Sequence, residues 1–159
     1  MSKVDKKITL KEAQKLGAEL VNELTPHIEK SMIAGSIRRE CEEIGDIDIV
    51  IIPKESLFDH IDNIIVISQG GKKKIFGDYK GRPINLFLTD ESGWGAQLMA
   101  STGPAQYNIR KRFLVKRKGL KLNEYGLFNR KSGEYISGRT ENDIYISLGW
   151  SCKCPTERN

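Results

Sequence analysis

Gly35-Ser36-Ile37-Arg38-Arg39-Glu40-Cys41-Glu42-Glu43-Ile44-Gly45-Asp46-Ile47-Asp48 is the stretch from which the rest of the chain can be organised. A short apolar segment, Ser31 to Ala34, runs into Gly35-Ser36 and then into a helix-forming run. Such a strand–turn–helix junction leaves backbone N–H groups free around an anion. Gly35 permits close backbone approach, the Ser36 hydroxyl adds a donor, and Arg39, one turn along, could grip phosphate oxygens in a fork. Asp46 and Asp48 stand at i and i+2 of a second predicted strand. The period of two puts both carboxylates on one face while Ile47 and Ile49 point into the core. Carboxylates that close repel each other unless a divalent cation or an arginine neutralises them. Hard oxygen ligands beside a phosphate cradle favour Mg²⁺ or Mn²⁺. The competing reading is the polar face of an amphipathic strand. It is the weaker one, because acids are poor strand residues and the anion-binding turn lies immediately upstream.

Upstream, Thr9-Leu10-Lys11-Glu12 has the form of a capping box. Ala13, Leu16, Leu20 and Leu24 follow at helical spacing, and Pro26 should end the helix. Downstream, apolar β-branched segments alternate with turn signals over Asp46 to Ile52, Ile64 to Ser68, Lys74 to Phe76 and Ile84 to Thr89. After Thr89 the pattern changes. Helices are predicted over Trp94 to Ala100, Ala105 to Lys118 and about Thr140 to Leu148, with a Thr102-Gly103-Pro104 turn and a short extended region after Gly119. The expected class is α+β: a mixed lobe over residues 1–91, then a smaller, mainly helical lobe over residues 92–159.

The chain has 159 residues and a formal charge of +5, room for one domain or two lobes sharing a core. Its composition excludes low-complexity and disordered classes, and no apolar run is long enough to span a membrane. The charged N-terminus lacks a secretory h-region, so an intracellular, reducing location is expected, cytoplasmic or nuclear. Cys41, Cys152 and Cys154 are odd in number and make no framework of staples, and His27 and His60 stand isolated in sequence. From Arg110 to Lys121 there are seven basic residues and no acid, which leaves the rest of the chain two charges acidic. That run is either a solvated helix face or a nucleic-acid contact. Lys72-Lys73-Lys74, after Gly70-Gly71, reads first as a loop and second as a phosphate contact.

The pattern Gly-Ser-x-Arg-Arg-x₅-Gly-Asp-x-Asp resembles the nucleotidyltransferase palm of the family X DNA polymerases, the group of polymerase beta. A second block agrees with it: Thr102-Gly103-Pro104, Asn108, Arg112 and Lys118-Gly119-Leu120-Lys121-Leu122-Asn123-Glu124-Tyr125-Gly126-Leu127-Phe128. Leu148-Gly149-Trp150 and Pro155-Thr156-Glu157-Arg158 also resemble the family's C-terminus. The resemblance runs from about Ile33 to the end. It implies a minimal member, with a palm (a mixed sheet with helices on one side) and a nucleotide-selection lobe, similar in extent to the small viral form. It further implies addition of dNTPs to a primer 3′-hydroxyl in gap filling or end repair, with two Mg²⁺ or Mn²⁺ ions held by Asp46 and Asp48. Gly35, Ser36, Arg39 and Gly45 would hold the β- and γ-phosphates, Gly103 would face the sugar and Asn108 the base edge. Arg112 would face the template. Arg110, Arg112, Lys116, Lys118 and Lys121 would track primer–template or gapped DNA, and a monomer is expected.

Two departures stand out. The family's third catalytic carboxylate falls on Asn85, within Ile84-Asn85-Leu86-Phe87-Leu88. Asn85 can offer a carbonyl oxygen to a metal but cannot take a proton. It reads either as an engineered Asp→Asn replacement or as a natural weakening or repurposing. The second departure is Ala100-Ser101, where relatives carry an aromatic residue near the sugar 2′ position; weaker rejection of rNTPs is expected. Two rival functions follow: a non-catalytic DNA- or nucleotide-binding relative, and a nucleotidyltransferase acting on another substrate.

Overall fold

A computed structural model describes residues 6–158. The expectation that the N-terminus carries no leader falls largely on residues 1–5, which lie outside the described residues. Helix α1 (Leu10–Leu24) starts at the capping box read from sequence: the Glu12 N–H donates to Thr9 Oγ1 at 3.2 Å, and the Thr9 N–H donates to Glu12 Oε2 at 2.9 Å. It stops at a 3₁₀ turn containing Pro26. The strands β1 (Ile8–Thr9) and β3 (Glu43–Ile44) form a small antiparallel pair on either side of the one-turn helix α2 (Gly35–Arg38).

The main sheet joins β2 (Ile28–Ile33), β4 (Ile47–Pro53), β5 (Val66–Gln69), β6 (Lys74–Tyr79) and β7 (Arg82–Leu88) in the order β2-β4-β7-β6-β5. Only β4 and β7 run parallel, so the sheet is mixed. Strand alternation divides its faces. Ile47, Ile49 and Ile51 of β4 and Ile84, Leu86 and Leu88 of β7 point toward Ala13, Leu20 and Leu24 of α1, with Leu57 of the short helix α3 (Leu57–His60) in the same core. Val50, Ile52 and Phe87, on the opposite face, receive Trp94 and Leu98 of α4 (Trp94–Thr102). Asp48 shares that second face, which is why it opens toward the second lobe.

Helix α4 is buried nearly all round, as an apolar helix must be when it lies between two cores. Its other side, Ala96 and Met99, packs with Val115 of α5 (Ala105–Arg117), with Leu127, and with Ile144, Tyr145 and Leu148 of α6 (Glu141–Leu148). The extended region after Gly119 forms a three-stranded antiparallel sheet, β8 (Leu120–Asn123), β9 (Gly126–Asn129) and β10 (Tyr135–Ser137).

Three details differ from the sequence reading. Strand β2 begins at Ile28, and β6 and β7 run longer than expected because Lys80-Gly81, both at positive φ, close a tight hairpin between them. His27 and His60 are not isolated: their rings stack with centroids 4.4 Å apart, because the turn after α1 packs on α3. Lys111 does not share the solvated face of the basic run, but is buried. Among the described residues no helix is long and apolar enough to cross a membrane.

Candidate active site

Asp48 lies one residue into β4 and Asp46 just before it, and parallel pairing places Asp48 directly beside Asn85 of β7. The Asn85 Nδ2 group donates to Asp48 Oδ1 at 2.7 Å and to Asp46 Oδ2 at 2.9 Å. Ionised carboxylates only accept, so the amide turns its NH₂ group toward them. Burial pushes the Asp48 carboxyl up to about 6; the Asn85 hydrogen bond lowers it, the nearby Asp46 charge raises it, and the Arg39 guanidinium lowers it.

The anion-binding turn adjoins these acids. The Ala34 N–H donates to the Asp48 carbonyl at 2.8 Å, and the chain then turns through Gly35 at φ +59°. A side chain at Gly35 would collide with the Asp48 carboxylate, so glycine is required twice, for conformation and for space. Gly35, Ser36 and Ile37 open α2, where helical geometry leaves their amides without carbonyl partners in the turn. Gly45 is fixed from below by a residue the sequence reading passed over. The buried Arg82 donates to the Gly45 carbonyl at 2.9 Å and to the Lys6 carbonyl at 2.6 Å. No local motif marks Arg82; its role comes from the pairing of distant segments.

Arg39 reaches across to the second lobe, where its Nη1 donates to the Thr102 carbonyl at 2.5 Å beside Gly103. Its neighbour Arg38, not singled out in the sequence, makes a stronger bridge. Arg38 donates to Thr102 Oγ1 at 2.8 Å and forks onto Glu141 at 2.6 and 3.1 Å, and Arg158 donates to the same carboxylate at 2.6 Å. Gly103 is thus brought to the carboxylate site. Asn108, on the first turn of α5, donates from Nδ2 to the Ala100 carbonyl at 2.9 Å, leaving its amide oxygen unused by that bond. Arg110, Arg112, Lys116, Lys118 and Lys121 are all exposed on α5 and the strand that follows it, outside the carboxylate cluster. Among the described residues no three or more His, Cys, Asp or Glu side chains are placed to hold a metal ion together. The acidic site offers two carboxylates and one amide, an all-oxygen donor set once Asn85 presents its carbonyl. That chemistry fits a hard divalent ion.

A family model described as DNA polymerase beta thumb matches residues 97–159. The chain is 30% identical over 168 residues to the Repair DNA polymerase X of African swine fever virus, covering 96% of this chain and 95% of that one. It is 28% identical over 131 residues to the DNA polymerase/3′-5′ exonuclease PolX of Bacillus subtilis, covering 77% of this chain and 23% of the relative. Among solved structures, the ternary P/T complex of Leishmania infantum polymerase beta superposes with a TM-score of 0.81 at 20% identity, covering 99% of this chain and 78% of that one.

Proposed function

Since the chain belongs to family X of the DNA polymerases, we propose that it adds dNTPs to a primer 3′-hydroxyl on gapped or primer–template DNA, in gap filling or end repair, with catalysis lowered by Asn85. One observation carries this reading: Asp46, Asp48 and residue 85 form a single cluster against the Gly35-Ser36 turn. Asp46, Asp48 and the Asn85 carbonyl would hold Mg²⁺ or Mn²⁺, two ions in the proposed arrangement, which when bound neutralise charge on the triphosphate and lower the pKa of the attacking hydroxyl. The amides of Gly35 and Ser36 and the guanidinium of Arg39 hold the β- and γ-phosphates, with the Gly45 carbonyl fixed by Arg82 behind them. The backbone at Gly103 passes close to the sugar, and the Asn108 amide reaches the minor-groove edge of the base. Arg112 faces the template, and Arg110, Lys116, Lys118 and Lys121 neutralise DNA phosphates, so binding weakens steeply with salt.

Asn85 supports a second reading. Its NH₂ group bridges the two acids as a partial positive charge, which relieves their repulsion without a metal. A DNA- or nucleotide-binding protein without catalysis would keep that arrangement. Single-nucleotide insertion opposite each template base, with the chain as it stands and with Asn85→Asp, separates the two. Template-directed, divalent-dependent insertion that Asn85→Asp enhances supports the polymerase; salt-sensitive DNA binding with no insertion by either protein supports the binding module.

A further inference from the structure

We propose that the outward face of α5 is a stacking platform for an unpaired nucleobase of the template strand, built by Ile109 and Phe113. This rests on the polymerase reading above. The inner face of α5 is consumed by Tyr107, Lys111 and Val115, which are buried. Ile109 and Phe113 lie four residues apart on the outer side and are each 61% exposed. A solvated helix face has no reason to carry an aromatic ring and an isoleucine in register. These two are bordered by Arg110, Arg112, Lys116 and Arg117, and the Arg117 guanidinium lies 6.0 Å from the Phe113 ring centroid.

Charge complementarity selects the occupant. An apolar strip edged by cations and by no acid suits a ligand that alternates flat π-faces with anions, which is the chemistry of a single nucleic-acid strand. Position agrees with it. Helix α5 starts at the Thr102-Gly103-Pro104 turn, and the Thr102 carbonyl accepts from Arg39, which ends the Gly35-Ser36 turn packed against Asp48. A template strand paired to a primer whose end lies at the carboxylates, and met by Arg112, therefore has the outer face of α5 beside it. The platform takes a base beyond the nascent pair, and the flanking arginines take its phosphates.

The test compares two DNAs, one whose template ends at the templating base and one with an unpaired template extension carrying 2-aminopurine. The wild-type chain should quench the 2-aminopurine on binding. Phe113→Ala should abolish the quench and weaken binding to the extended DNA roughly 5- to 100-fold, while binding to the shorter DNA stays at the wild-type value. Phe113→Trp should restore both quench and affinity. Circular dichroism guards against a folding defect, which an exposed ring should not cause. Equal weakening on both DNAs, or none on either, would overturn the platform, as would loss of self-association with DNA binding intact. If the wild-type chain binds neither DNA, the polymerase reading itself fails, a result distinct from a platform failure.

Discussion

Asp48 and Asn85 are register partners on the parallel strands β4 and β7, and the bond between their side chains, at 2.7 Å, is the shortest link in the acidic cluster. A carboxylate at position 85 could not make that bond, because it has no proton to donate at neutral pH. Asn85→Asp would set three carboxylates together, raise the demand for a divalent ion and supply a proton acceptor where the proposed function places the primer hydroxyl. Single-turnover insertion in Mg²⁺ should rise by roughly 10²–10⁴-fold, the usual worth of general-base help. A rise smaller than threefold would mean residue 85 is not in the path of the proton.

Asp48 also predicts a pH signature of the metal-free protein. Its carboxyl is raised to about 6 chiefly by burial, so the folded state holds a proton that the unfolded chain has already lost between pH 4 and 6. The stabilisation is complete below the ordinary carboxylate range and disappears as pH rises through 6. Because Asp48 is half-buried, the fall should be on the order of 1–2 kcal/mol. Urea denaturation in chelator from pH 4 to 7 measures it against Asp48→Asn, which should lack this fall. Parallel pH profiles for the two proteins would contradict the assignment.

The end of α4 is where the proposed function places sugar selection. Ala100 presents only a methyl group, its carbonyl is taken by Asn108, and the Ser101 hydroxyl accepts from Gln97 at 2.8 Å, directed into its own helix. No bulky side chain from these two positions reaches toward Gly103. Ala100→Tyr should therefore improve discrimination against rNTPs by about tenfold or more, read as the ratio of kcat/KM for matched dNTP and rNTP in the Asn85→Asp background. An unchanged ratio would assign exclusion to backbone atoms.

The Gly35–Asp48 stretch was legible because its signals are local: a glycine turn and a period of two both act within a few residues. Asn85 was found only by resemblance, since one amide in an apolar strand carries no signal of its own. Long-range pairing hid the rest. Arg38 and Glu141 are 103 residues apart, and nothing near either announces the other. Arg82 looks like a strand-edge cation until β7 seats it beneath Gly45. The region after Gly119 was legible as extended but not as three paired strands, because these are only 3–4 residues long and are held by side-chain turns such as Asn123 Oδ1 accepting from Tyr125 and Gly126. Lys111 read as part of a basic run because two of the three rings around it, Tyr145 and Trp150, come from α6 and the C-terminal segment.

The lobes are joined by the Arg38–Glu141–Arg158 group, and its balance makes Glu141 the sensitive member. Burial pushes this carboxyl up, but hydrogen bonds from Arg38 and Arg158 outweigh it and hold the pKa below the ordinary range. Glu141 is also the first residue of α6, where the helix dipole favours an anion. Glu141→Gln leaves two guanidinium groups facing each other, one of them on the buried Arg158. Breaking a buried pair from one side typically costs about 3–5 kcal/mol. Chemical denaturation at pH 7 should show a loss in that range, and a loss below 1 kcal/mol would show that water or lobe separation relieves the two cations.

Lys111 presents the opposite case, a buried cation without an acid bonded to it among the described residues. Its Nζ lies 4.0 Å from the Tyr145 ring centroid, 4.6 Å from that of Tyr107 and 5.0 Å from that of Trp150. The rings attract the ammonium, yet burial first, then Arg158 and Lys153, push its pKa down to about 8, against smaller opposing effects of Cys152 and Glu141. A lysine lowered in the fold contributes stability above the unfolded pKa and loses it as pH falls through 8. At pH 7 the charge is therefore a net cost, and removing it while keeping the stem's volume should stabilise the protein. Lys111→Met should gain on the order of 1 kcal/mol at pH 7, a gain that shrinks toward pH 10 as the wild-type lysine deprotonates. Urea midpoints at the two pH values decide it. A destabilised Lys111→Met at pH 7 would mean that the three rings bind the ammonium more strongly than burial penalises it.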